Sequence, residues 1–280
     1  MSSSAGIVLA GGRSSRMGRP KAALEWHGST LLRRTVGILA RVTGGPVLVV
    51  RAPGQSLPQL PLEIEVVDDP QEGLGPVQGL AAGLAAAAGR ADVAFVCSTD
   101  LPFLHPAFVR RVLRAAQEGA DVGLPHARGY RQPLAASYRT ALAPLAERLV
   151  REQRLRPAFL FEQCNVALLD ETALRSDPIV AALDPELDSV LNVNEPGDYR
   201  AARARAAPDI TVQRFGSLAD GCRGPRPARA ATVAGAADAT GLALDGHVVA
   251  ALNGDQITRD GQTPLATGDT VFFLAADAGG

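Results

Sequence analysis

The sequence predicts an α/β protein with a mostly parallel sheet, followed by a smaller β-rich unit carrying one helix. Three observations lead there. Short apolar runs alternate with longer helical patterns over most of the chain. A glycine-rich loop directly follows the first apolar run, at Gly11 and Gly12. From Asp209 onward the pattern changes to short strands with Gly/Pro/Arg-rich connections. Strands that alternate with helices form βαβ units, whose parallel sheet is covered on both faces.

The elements read in order as follows. AGIVLAG, Ala5 to Gly11, is a buried strand entering a loop, and TLLRRTVGILARV is a helix with Thr30 as its N-cap. PVLVVR and IEVVDD are strands. VQGLAAGLAAAAG is an Ala-rich helix stopped by Gly89. DVAFVCSTD is a further buried strand, and PAFVRRVLRAAQEG a helix stopped by Gly119. RAARARAAP, residues 200–208, is a last helix running into a linker. Beyond it come the strand ITVQRF, a stretch from Gly221 to Ala237 with little pattern, and the strands HVVAAL and DTVFFL, the first of them followed by a turn at Asn253-Gly254. The expected domains are 1–205 and 206–280, the second long enough to fold by itself.

Composition sets limits on function. The 280 residues are 46% hydrophobic and 20% charged, with a formal net charge of -1. No bulk basic field exists for nucleic acid. Up to residue 208 there are 23 basic and 21 acidic side chains, against 5 and 8 beyond it, so a local cation cluster remains available to phosphates. Cys97, Cys164 and Cys222 are few, odd in number and far apart, which predicts reduced thiols and neither a disulfide framework nor a zinc knuckle. Met1 to Gly6 has no basic region leading into an apolar stretch, and Ile7 to Ala10 is too short for a signal peptide or a membrane span. The expected location is the cytoplasm, with no membrane partner.

The first chemical signal is LAGGRSSRMGRPK, Leu9 to Lys21. In open α/β sheets ligands bind beyond the carboxyl ends of strands. Gly11 and Gly12 let the backbone approach a nucleotide and allow positive φ. Successive N–H groups in such a loop form an anion-binding nest, and Arg16 and Lys21 add cationic donors for a triphosphate. This is not the P-loop, because Ala22 follows Lys21, and the dinucleotide fingerprint GxGxxG is absent.

The second signal is Asp100, at the end of an apolar strand and closed off by Pro102. A carboxylate there can hold Mg2+, which takes hard oxygen ligands from few protein groups and from substrate phosphates. An N-cap or turn role is the alternative for Asp100. A third segment, DDPQEGLGPVQGL from Asp68, places Gly75-Pro76 as a helix-opening turn. RQPLAA at Arg131 to Ala136 and LNVNEPGDY at Leu191 to Tyr199 complete the set, with Asn192 and Asn194 readable as capping groups or as site residues.

These motifs, in this order over about residues 5–205, resemble the molybdenum cofactor guanylyltransferases, the MobA-type proteins. The resemblance implies a Rossmann-like nucleotidyltransferase domain. It implies that Leu9, Ala10, Gly11, Gly12, Lys21, Asp69, Gly75, Pro76 and Gly79 bind the nucleotide. Lys21, Arg16 and Asp100 would be catalytic, Asp100 would hold Mg2+, and Gln132 and Asn194 would lie on the substrate side. Gly12 resembles guanylyl- rather than cytidylyl-transferring relatives, so GTP is the expected donor, CTP the alternative, and molybdopterin or the molybdenum cofactor the acceptor. Gln78 departs from the small residue expected in the GPxxGL turn. Transfer to a different phosphorylated acceptor is the nearest competing reading.

The chain ends AADAGG. A tail without side chains threads a narrow channel at no steric cost. About residues 209–280 resemble the small sulfur carriers of molybdopterin and thiamine biosynthesis, which implies a ubiquitin-like β-grasp domain of the α+β class. Gly279 and Gly280 would then be the sulfur-carrier terminus, and the partners an E1-like adenylating enzyme and a molybdopterin synthase large subunit. Asp277-Ala278 departs from the bulkier upstream residue or Pro of that family. A carrier or binding protein with an inactive transferase site is the alternative of another class.

Overall fold

The computed structural model describes residues 3–11, 20–70, 73–219 and 224–276. The chain forms two compact units, Met1–Leu24 with Leu31–Tyr199, and Glu25–Thr30 with Arg200–Gly280. In chain order the strands are β1 (Ser4–Leu9), β2 (Glu25–Trp26), β3 (Ser29–Thr30), β4 (Val47–Arg51) and β5 (Ile64–Asp68). They continue with β6 (Val93–Ser98), β7 (Val122–Ala127), β8 (Tyr130–Arg131), β9 (Ala135–Arg139) and β10 (Val166–Leu169). The last five are β11 (Asp209–Arg214), β12 (Arg226–Arg229), β13 (Val248–Leu252), β14 (Gln256–Thr258) and β15 (Thr270–Ala275). The helices are α1 (Leu31–Ala40), α2 (Pro76–Ala87), α3 (Pro106–Gln117), α4 (Ala143–Arg151) and α5 (Pro157–Phe161). Then follow α6 (Glu171–Arg175), α7 (Pro178–Leu183), α8 (Pro196–Arg203) and α9 (Val233–Ala239).

The first unit is built on a sheet in the order β10-β7-β9-β6-β1-β4-β5, with β8 paired to β7. β5, β4, β1 and β6 run parallel, β9 is antiparallel to both its neighbours, and β10 is parallel to β7. The mostly parallel sheet is therefore present, with β9 as the inverted strand. β1 is buried along its whole length, as a central strand covered on both faces must be. α2 comes close to it because Gly83 lacks a side chain: a Cβ there would stand 2.6 Å from Ile7 Cγ2. α2 ends ahead of Gly89 (φ 76°) and α3 ahead of Gly119 (φ 118°), the two stops read in the sequence.

The second unit holds a five-stranded sheet in the order β12-β11-β15-β13-β14. β11 and β15 are parallel, with Val212 beside Val271, and the other pairs are antiparallel. Its core gathers Ile210, Val212, Val233, Ala237, Leu252 and Phe273. Asn253 (φ 53°) and Gly254 (φ 87°) turn β13 into β14, both in the left-handed region that a tight hairpin turn needs. The two-stranded ribbon β2–β3 also counts with this unit.

By compactness the first unit reaches Tyr199 and the second begins at Arg200, and α8 ends at Arg203. The stretch from Gly221 to Ala237 is more regular than it reads, since β12 and α9 both begin in it. β12 is an edge strand, RPAR, so it carries no alternating apolar pattern; residues 220–223 lie outside the described set. No helix among the described residues is long and apolar enough to cross a membrane.

Candidate active site

Parallel strands in register end at one edge. Leu9 of β1 lies beside Val50 of β4 and Ser98 of β6, and Arg51 lies beside Asp68 of β5. Whatever follows each strand therefore emerges along the same edge, where ligands of open α/β sheets bind.

A cavity of about 480 Å³ opens there, lined by Leu9, Gly11, Asp69, Gly75, Pro76 and Gly79 together with Val50, Ala52, Gly73, Ser98 and Leu134. Six of the residues expected to bind nucleotide thus share one space. Ala10 stands behind it: its N–H donates to Val50 O at 2.8 Å and its carbonyl accepts from Gln55 Nε2 at 2.9 Å. The Gln55 carbonyl oxygen Oε1 accepts from Ala52 N at 3.0 Å, so one side chain ties the β1 loop to the β4 loop. Gln55, Ala52, Ser98 and Leu134 were not read from the sequence.

The glycines act for different reasons. Gly75, the N-cap of α2, sits at φ 76°, a conformation that disfavours any side chain. Gly75 itself offers no side chain to cap that helix end, and the positive end of the α2 dipole lies at the cavity wall. Gly11 does not have the positive φ expected of it. Its requirement is space, since a Cβ would stand 3.3 Å from Ala52 N.

Beside the cavity lies a polar cluster. Lys21, from a 3-10 turn Lys21–Ala23 anchored by buried Ala22, places Nζ 2.9 Å from Asp100 Oδ2 and 2.9 Å from Asn194 Oδ1. Ser98 Oγ donates to Asp100 Oδ1. Lys21 and Asp100 are 20% and 14% exposed, so the pair is only partly screened. An ammonium cradled by a carboxylate and a carboxamide oxygen marks a cation position built of hard oxygen donors. That donor set fits Mg2+, which takes one or two carboxylates and completes its shell with phosphate oxygens and water.

The remaining expectations sort as follows. Asn192 makes a local bond, Nδ2 to Val190 O at 3.3 Å, whereas Asn194 reaches Lys21. Gln132 donates through Nε2 to Ala127 O at 3.1 Å, within the β7–β9 connection; Leu134, two residues on, is the one that lines the cavity. Gly12, Arg16, Gly279 and Gly280 lie outside the described residues. Cys97 is fully buried, which pushes its thiol up, and burial likewise raises Cys164 to about 11, so neither thiol supplies a nucleophile.

Solved structures share this fold. Molybdopterin-guanine dinucleotide biosynthesis protein A from Archaeoglobus fulgidus superposes with a TM-score of 0.58 at 22% identity, covering 71% of this chain and 96% of that one. The 2-C-methyl-D-erythritol 4-phosphate cytidylyltransferase of Thermus thermophilus gives 0.53 at 23% identity, covering 73% and 98%. With the cavity and its lysine–carboxylate cluster at the carboxyl edge of the sheet, the chain is a nucleotidyltransferase. It belongs to the MobA-like NTP transferase family, whose domain profile matches residues 6–166. A Mycobacterium avium protein described as a probable molybdenum cofactor guanylyltransferase is 41% identical over 211 residues, 72% of this chain and 96% of that relative. A Mycobacterium tuberculosis protein of the same description is 46% identical over 150 residues, 52% and 73% of the two.

Proposed function

We propose that this chain transfers a guanylyl group from GTP to the phosphate of molybdopterin or the molybdenum cofactor, releasing pyrophosphate. One observation carries the reading: Lys21 bridges Asp100 and Asn194 at 2.9 Å beside a cavity lined by Gly11, Asp69, Gly75 and Gly79. The descriptions of the mycobacterial relatives support the choice of donor and acceptor. Leu9, Ala52, Gly75 and Gly79 shape the space for the nucleoside. In this reading Lys21 serves the phosphates, a role the resemblance also implies for Arg16, and Asp100 with Asn194 would hold Mg2+. When bound, the ion neutralises charge developing on phosphate oxygens.

The acceptor phosphate attacks the α-phosphorus and pyrophosphate leaves. No protein base is required, because a phosphate monoester has a second pKa of about 6 and is mostly ionised near neutral pH. The protein contributes orientation and a fixed positive field, the two effects that dominate phosphoryl transfer. Pyrophosphate release from GTP and from CTP, with and without molybdopterin, tests the assignment. Turnover with CTP alone, or with GTP regardless of acceptor, refutes the donor or the acceptor.

The second unit supports a second reading, a sulfur carrier of β-grasp type. The observation is its topology: a parallel β11–β15 pair in the middle of five strands, with α9 entered directly after β12. In this reading the Gly280 carboxylate is activated by an E1-like adenylating enzyme and converted to a thiocarboxylate. The product would serve a molybdopterin synthase large subunit.

A further inference from the structure

The loop that carries Asp100 is fastened at both ends by one distant segment. At its start, the Asp100 carbonyl accepts from Val193 N at 2.9 Å. At its end, His105 N donates to Ser189 Oγ at 3.0 Å, and Ser189 is fully buried. Between them the Pro102 carbonyl accepts from Nε of buried Arg34. The segment that does the fastening is itself organised by one side chain. Asp184, at the end of α7 and only 6% exposed, accepts from Asp188 N at 2.7 Å through Oδ1 and from Ser189 N at 3.3 Å through Oδ2. Ser189 Oγ in turn offers a lone pair to the His105 N–H. Leu187, buried at φ 52°, shows the turn held in a conformation that a bulky side chain avoids.

We propose that Asp184, as a carboxylate, is a positioning residue for nucleotidyl transfer: through Ser189 and the Asp188–Val193 segment it holds the Asp100–His105 loop, and hence the Asp100 carboxylate, in place. This rests on the function proposed above. Protonation replaces a charged acceptor by a neutral one and puts an O–H where two N–H groups point, which weakens the hold on Asp188 N and Ser189 N. Burial moves this carboxyl up to about 6, against the hydrogen bonds from Ser189 and Asp188, and the Asp188 charge adds to the rise. The other charges nearby are engaged elsewhere. Arg128 Nη1 pairs with Asp188 Oδ1 at 2.9 Å and also donates to Glu186 O, Arg175 donates to Pro185 O, and the His105 ring accepts from Ala107 N.

The decisive reporter is the His105 amide in the full chain without substrate, because the acceptor phosphate itself titrates near pH 6. Hydrogen exchange, corrected for the intrinsic rate, should show wild-type protection of the 100–105 loop rising as pH passes through about 6. In Asp184→Asn protection should be low at every pH. Ser189→Ala, which removes only the hydroxyl, should expose the same amide and serves if Asp184→Asn does not fold. His105→Asn keeps a capping acceptor and should retain the pH dependence. Well above pH 6, Asp184→Asn should lower kcat on the order of tenfold to hundredfold while leaving the GTP KM unchanged. Equal His105 protection in wild type and Asp184→Asn, a pH dependence that vanishes with His105→Asn, or a KM that moves in step with kcat overturns the proposal. A wild type that shows the exchange behaviour but no turnover of GTP would instead sink the function while leaving the loop assignment intact.

Discussion

Lys21 Nζ lies 2.9 Å from Asp100 Oδ2 across 79 residues of sequence. Lys21 leaves a short turn after the β1 loop, and Asp100 leaves β6, so their meeting depends on β1 and β6 being neighbours in register.

Asp100→Ala and Lys21→Ala should each lower turnover at least on the order of a hundredfold, the scale of losing one preorganised electrostatic contact. Stability should change by only about 1 kcal/mol, since the pair is partly exposed. Pyrophosphate release and thermal unfolding measured on the same preparations check both halves. A folded Asp100→Ala that keeps near-normal activity removes the carboxylate from the mechanism.

Gly79 and Gly83 separate binding from packing. A Cβ at Gly79 stands 3.4 Å from Leu9 Cδ2, ordinary contact, and takes space from the cavity. At Gly83 it stands 2.6 Å from Ile7 Cγ2 and 3.2 Å from Val50 Cγ2, inside the packed interface of α2 with the sheet. Gly79→Ala should therefore fold normally and raise the nucleotide KM, whereas Gly83→Ala should cost about 1–3 kcal/mol. Equal melting temperatures for the two variants would contradict this packing argument.

The site was legible in the sequence where its chemistry is local to a motif. Leu9, Gly11, Lys21, Asp69, Gly75, Gly79 and Asp100 each sit at the end of a strand or the start of a helix, where apolar runs and glycines betray position. Gln55, Ser189 and Asp184 left no such trace. They work through bonds to backbone groups 45, 84 or a few residues away, which no periodicity records. The short helices α5, α6 and α7, of five or six residues each, were equally silent, because one turn is too short to establish a 3.6-residue repeat. At Gly11 the crowding against Ala52 is a further constraint, a tertiary one that the motif does not record.

The carrier reading of the second unit makes a separable prediction. Removing Gly279 and Gly280 should leave pyrophosphate release from GTP unchanged. It should abolish any gain of sulfur at the terminus when the full chain is incubated with ATP, an E1-like adenylating enzyme and a sulfur donor. Intact-protein mass spectrometry reads the replacement of one oxygen by sulfur. An unmodified terminus under conditions that load an authentic carrier would dispose of the reading.

Asp184 gives stability and activity opposite signs with pH. Its carboxyl is raised from 3.8 to about 6 in the fold, with burial the main cause. A raised carboxyl binds its proton more tightly folded than unfolded, so its stabilising contribution is full below pH 3.8 and is lost as pH climbs through about 6. At about 1.4 kcal/mol per unit, the loss amounts to roughly 3 kcal/mol at most. Asp184→Asn cannot titrate and should lack that slope. Denaturant unfolding of the two proteins from about pH 4 to pH 8 should show the wild type losing ground to the variant as pH rises. Under the positioning proposal, loop order changes in the other direction over the same interval, because the carboxylate is the stronger acceptor for Asp188 N and Ser189 N. Parallel stability curves for wild type and Asp184→Asn would show that Asp184 does not titrate in this interval, and the trade between order and stability would go with it.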